Sequence, residues 1–96
     1  MIEDISAFFE ANNAEYIKFN NVEKKLHTRP DICAFLLLDK LDPSERDIVS
    51  AAEHDEIYLD VNIENIKKNA TEIDLLTLIR CGVRYDEYLE CFSMFV

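Results

Sequence analysis

The chain reads as an α+β domain, with about five short helices packed on a small antiparallel or mixed sheet. Three observations predict this. Apolar residues at helical spacing follow recognisable start signals at residues 28–30, 42–45 and 71–74. The period then drops to two over Glu56–Val61. The ending Cys91-Phe92-Ser93-Met94-Phe95-Val96 is too apolar to lie in water and reads as a strand.

Taken in order, Ile2, Ile5, Phe8 and Phe9 share one helical face, and Asn12-Asn13 stops it, so the first helix is expected over 2–12. Glu15–Phe19 reads as a short extended segment. Thr28 is placed as an N-cap, with Pro30 in the first turn and Asp31 three residues after the cap. Residues 32–38 are apolar on nearly every side, as befits a helix buried all round. A central helix over 29–41 is expected, with Phe35, Leu36 and Leu38 deepest.

Asp42, Pro43 and Glu45 form the next start signal, and Ile48, Val49, Ala51 and Ala52 would be the buried face of a helix ending near Glu53. In the strand that follows, Ile57, Leu59 and Val61 point one way, and Glu56, Tyr58 and Asp60 the other. Asn62 caps a short helix carrying Ile63 and Ile66. Thr71 and Asp74 open the last helix, and Arg80 in its final turn suits the helix dipole. Gly82, the only glycine, stands where a left-handed residue is wanted. Val83–Tyr85 and Leu89–Val96 then flank a turn at Asp86-Glu87.

At 96 residues the chain is one domain over 1–96, and its 49% hydrophobic content suffices for a core. One glycine excludes Gly-rich phosphate loops and dinucleotide fingerprints. A net charge of −10 and a pI near 4.5 argue against direct binding of nucleic acid or of an anionic membrane. The longest apolar run, 32–38, is too short to span a bilayer, and Met1–Asp4 shows no basic region of a signal peptide. A cytoplasmic location is expected. Cys33, Cys81 and Cys91 lack paired spacing and read as free thiols in a reducing compartment, with no zinc site.

No catalytic constellation stands out. Glu53-His54-Asp55-Glu56 offers acids beside a histidine, but metal-binding helices place two histidines four apart, and the only other one is His27. The segment reads as a charged connection. With 20 acids in the chain, carboxylate pairs arise by chance. No serine has a G-x-S-x-G context. No cofactor, metal or enzymatic activity is expected.

The charge map says more. Residues 49–65 carry Glu53, Asp55, Glu56, Asp60 and Glu64 with no base, half of the net charge on 17 residues. If Ile57, Leu59 and Val61 are buried, Glu56, Tyr58 and Asp60 form an outward ladder. Alternate strand residues lie roughly 6.6–6.8 Å apart, about two base-pair rises of duplex DNA at ~3.4 Å each. Asp86, Glu87 and Glu90 extend the row if the terminal strands pair nearby. Tyr58, between two carboxylates, is placed as an aromatic anchor. The plain alternative is an acidic face that only keeps the chain in solution.

Small size, low pI, the acidic run Glu53–Glu64 and the compact ending Arg80-Cys81-Gly82-Val83-Arg84-Tyr85-Asp86 together make a profile. It resembles the small acidic inhibitors of phages and mobile elements, of anti-CRISPR and anti-restriction type. That resemblance implies a stoichiometric blocker of a host nucleic-acid-binding protein or defence complex. Those inhibitors share no motif, so it transfers no residue roles.

The sequence therefore leads to a non-enzymatic binding protein. Its acidic surface, Glu53, Asp55, Glu56, Tyr58, Asp60, Glu64, Asp86, Glu87 and Glu90, would meet a basic surface on a nucleic-acid-binding protein. The competing expectation is a cytoplasmic subunit or homodimer associating through the apolar Phe92, Met94, Phe95 and Val96. A small enzyme using His54 with Asp55 or Glu56 ranks last.

Overall fold

A computed structural model describes residues 2–95. Among these described residues, four α-helices and a four-stranded antiparallel sheet make up the fold. Helix α1 spans Ile5–Ala11, where Asp4 caps it by accepting a hydrogen bond from Ala7 N at 3.0 Å. The segment expected to be extended, 15–19, instead enters two single 3₁₀ turns, Asn13–Glu15 and Phe19–Asn21.

Helix α2 spans Pro30–Leu41, with proline in its first turn. Arg29, not Thr28, is its N-cap, and no side chain caps it. Cys33, Ala34, Leu37, Leu38 and Leu41 are buried, whereas Leu36, expected among the deepest, is 45% exposed. The helix is therefore covered on one side, and its uniformly apolar run hid which side.

The expected helix over 42–53 does not form. Asp42 is buried, and its carboxylate accepts from Asn62 N at 2.7 Å and Asn65 Nδ2 at 2.9 Å. Spent on that contact, it caps no helix of its own. Ser44 Oγ accepts from Arg46 N in a local turn instead. Val49–Glu53 is strand β1, exposed along its whole length, and pairs antiparallel with β2, Glu56–Leu59. Pairing with a neighbouring strand overrides the helical preference of Ala51 and Ala52.

Asn62 caps α3, Ile63–Asn69, by accepting from Glu64 N and Asn65 N. Helix α4, Glu72–Cys81, opens with a reciprocal capping box. Thr71 Oγ1 accepts from Asp74 N at 3.1 Å, and Asp74 Oδ2 accepts from Thr71 N at 3.0 Å. Gly82 closes the helix at φ 99, a conformation few other residues adopt at low cost. Strands β3, Val83–Asp86, and β4, Cys91–Phe95, form the last hairpin.

Strand order is β1-β2-β4-β3, so the C-terminal strand is internal. Its register sets Leu59 beside Phe92, and Val83 and Ile57 beside Met94. These residues meet Leu38 and Cys33 of α2, Ile66 of α3, and Leu75 and Leu78 of α4 in one core. Phe9 of α1, Tyr85 and Phe92 form an aromatic cluster with centroids 5.6–6.1 Å apart. Cys33 and Cys81 are buried, and Cys91 is half-buried; all three are free thiols. Among the described residues no helix is long and apolar enough to cross a membrane.

Candidate interaction face

Because side chains alternate along a strand, the register that sends Leu59, Phe92, Met94 and Val83 into the core sends their neighbours the other way. Cross-strand partners share a face. Glu53 lies beside Glu56, Ala51 beside Tyr58, Tyr58 beside Ser93, Ser93 beside Arg84, Cys91 beside Asp86, and Glu56 beside Phe95. The core cluster takes its helical contributions on the other side of the sheet. This second face carries Glu53, Glu56, Tyr58, Arg84, Asp86 and Phe95, most of them exposed or half-exposed.

Its centre is a bridge over the internal strand. Arg84 Nη1 on β3 donates to Glu56 Oε2 on β2 at 3.1 Å. The guanidinium also lies 4.7 Å from the ring centroid of Phe95. Ser93, buried between them in the register, is small enough to leave room for the bridge. A hydrogen bond to the Glu56 carboxylate holds the Tyr58 phenol above its ordinary value, with burial and the charges of Glu56 and Glu53 acting in the same direction. Burial, reinforced by the charges of Asp86 and Glu56, pushes the Cys91 thiol up. It is a poor nucleophile at neutral pH.

The expected acidic residues fall into separate places. Glu53 ends β1 on the face beside Glu56, and Asp55 projects from the turn joining β1 and β2, where His54 adopts φ 53. Glu56 and Tyr58 sit on the face as the alternation implied. Asp60, just past β2, accepts from Arg46 Nε at 2.9 Å. Asp86 is on the face, and its Oδ1 also accepts from Tyr88 N and Leu89 N, shaping the β3–β4 turn. Glu87 accepts from Ser6 Oγ of α1 at 3.0 Å. Glu64 lies 3.6 Å from Lys67, and shares with Glu90 a depression of about 280 Å³ lined also by Tyr85. The antiparallel hairpins put the 86–91 turn at the opposite end of β4 from Glu53 and Glu56. The row is therefore two acidic ends with a bridged centre.

Arg84, Ser93 and Arg46 were missed by sequence reasoning, and Phe95 was expected in an apolar association surface rather than on the acidic face. The alternation of Cys91, Ser93 and Phe95 against Phe92 and Met94 was the signal for two of them. Of the apolar ending weighed as a dimer surface, Phe92 and Met94 are buried in the core and Phe95 is 51% exposed on this face. Val96 lies outside the described residues.

Among the described residues no group of three His, Cys, Asp or Glu side chains is placed to hold a metal ion. A shallow depression of about 340 Å³ on the face is lined by Glu56, Arg84, Asp86, Tyr88 and Ser93. Chemically, the face offers carboxylates to cations and aromatic rings to flat or apolar groups. No protein-family model matches the chain, and neither a curated protein nor a solved structure matches it.

Proposed function

We propose that this chain is a non-enzymatic binding protein whose uncovered sheet face docks on the basic surface of a nucleic-acid-binding protein and thereby inhibits it. The observation that carries this reading is the placement of Glu53, Glu56 and Asp86, with Tyr58 and Phe95 between them, on the side of the sheet away from the helical core. Three carboxylates outnumber the single Arg84 there, so the face keeps a negative field. Tyr58 and Phe95 supply the aromatic anchors that interfaces favour. The resemblance to phage and mobile-element inhibitors narrows the partner to a host nucleic-acid enzyme or defence complex.

Affinity capture from a host lysate tests the reading. The bait would retain a nucleic-acid-binding protein at low salt, release it at high salt, and lose it to competing duplex DNA. A Glu53→Lys, Asp55→Lys variant alters only exposed residues, the last of β1 and one in the turn after it, so its thermal transition should match the parent. Retention of the same protein by this variant at undiminished affinity would remove the face from consideration.

A further inference from the structure

We infer that the open edge of β3 takes an extended basic segment of another protein as a fifth strand of the sheet. Strand order leaves β3 with β4 on one side only. Among the described residues no backbone group outside the sheet hydrogen-bonds to the backbone of Val83–Asp86. Such a row of unpaired N–H and C=O groups is a template for another strand. The opposite edge, β1, breaks its register between Val49 and Ala51, and bulges of that kind blunt an edge. A depression of about 430 Å³ runs beside β3. Val83, Arg84 and Tyr85 all line it. Side chains alternate along a strand, so a hollow that touches three in succession lies along the open side. Ser6, Phe9 and Glu10 of α1, at i, i+3 and i+4, form its far wall. A groove between a helix and an edge strand can receive an extended peptide by strand addition.

Charge specifies the occupant. The shallow depression of about 340 Å³ on the uncovered face adjoins this groove and shares Arg84, Tyr85 and Glu87 with it. A strand laid along β3 sends alternate side chains into the one and the other. Four carboxylates line the pair: Glu10 in the first, Glu56 and Asp86 in the second, and Glu87 in both. The single cation lining them, Arg84, is held by Glu56. Asp86 and Glu87 accept from neutral donors, the turn backbone and Ser6. Among the described residues Glu10, Asp86 and Glu87 form no ion pair, so three negative charges stay uncompensated. Burial pushes the Tyr85 phenol up, and the charges of Glu90, Asp4 and Glu87 act in the same direction. Phe9, Tyr16 and Tyr85 offer rings to the stems and guanidinium groups of arginines. The incoming segment therefore carries arginine or lysine on both sides of its extended chain. The inference rests on the proposed function and deepens it, by naming the element with which a basic partner engages.

The test uses the full chain and a dye-labelled peptide of about eight residues, arginines and threonines placed so that both sides of the extended chain carry arginine. A twin with alternate backbone nitrogens methylated keeps the charge but cannot pair as a strand. Fluorescence polarisation should show the parent peptide binding about tenfold or more tightly than its twin, and amide exchange in β3 should slow when it binds. Glu10→Lys should weaken binding about tenfold. Glu45→Lys, an exposed change of equal charge in the segment before β1, should leave it within about twofold. Glu10 is exposed, and matching thermal transitions, or the milder Glu10→Gln, separate lost binding from lost folding. Equal binding of the peptide and its twin, equal effects of Glu10→Lys and Glu45→Lys, or slowed exchange confined to β1 would overturn the proposal. Lysate capture with Glu53→Lys, Asp55→Lys reads the sheet face alone, since neither residue lines this edge, so failure of the one reading is told apart from failure of the other.

Discussion

Arg84 reaches across the internal strand β4 to Glu56, donating from Nη1 to Oε2 at 3.1 Å while its guanidinium stacks on Phe95 at 4.7 Å. An otherwise acidic face therefore carries its own cation, held in the way a partner's arginine would be held. In the free protein Glu56 is already occupied, and a partner arginine must compete with Arg84 for it.

Arg84→Gln removes that competitor. The pair is partly solvent-exposed, and such pairs contribute roughly 0.2–1 kcal/mol, so stability should fall by less than about 1 kcal/mol in thermal melts. Affinity for a basic partner should rise, measured as a lower Kd for the captured protein. A weaker complex would mean that Arg84 is a contact residue or that the partner binds elsewhere.

Tyr58 supplies a spectroscopic reporter of the same face. Its phenol lies above the ordinary 10.0 because Glu56 accepts its hydrogen bond. A raised folded-state value stabilises the fold fully below the unfolded value, and this contribution is lost as pH rises through the folded one. Ultraviolet titration of Glu56→Gln should show this tyrosine ionising at lower pH than in the parent. An unmoved curve would place the hydroxyl elsewhere.

Glu15 ties the first 3₁₀ turn to the end of α4. Arg80 Nη2 lies 2.7 Å from its Oε1, and the hydrogen bond to Arg80 holds the Glu15 carboxyl below its ordinary 4.5 despite some opposing burial. A depressed carboxyl contributes stability above the unfolded value, which is lost as pH falls through the folded value. Glu15→Gln should therefore lower Tm at neutral pH. The gap from the parent should close as the pH falls through the lowered folded value and Glu15 is protonated. A gap that persists undiminished in acid would show that the loss is not electrostatic.

Asp42 is the buried tie between α2 and α3. Asp42→Ala leaves Asn62 N–H and Asn65 Nδ2 without their acceptor. Unmade buried hydrogen bonds cost about 1–3 kcal/mol, so urea unfolding should show a loss in that range. A loss near zero would mean that water replaces the carboxylate.

Features governed by neighbours in the chain were legible in the sequence. The Thr71–Asp74 box, the Asn62 cap, Gly82 and the alternation of Glu56–Leu59 are all local, and each formed as expected. Asp42-Pro43-Ser44-Glu45 carries the same local signal as Thr71-Glu72-Ile73-Asp74, yet no helix follows it. The difference is non-local, since the carboxylate of Asp42 is drawn to Asn62 twenty residues on and β2 takes Val49–Glu53 as its edge strand. The same divide runs through the candidate site. That Glu56 and Tyr58 share a face follows from alternation within one strand. That Arg84 and Phe95 join them follows from the order β1-β2-β4-β3, which no short-range pattern encodes.

The central claim is that the uncovered sheet face is the binding surface. Its most direct test is the Kd of the captured partner as a function of salt, for the parent and for Glu53→Lys, Asp55→Lys. The account predicts a Kd that rises steeply with salt for the parent, and a variant at least about tenfold weaker at low salt with a flatter dependence. Identical curves for the two proteins would contradict it.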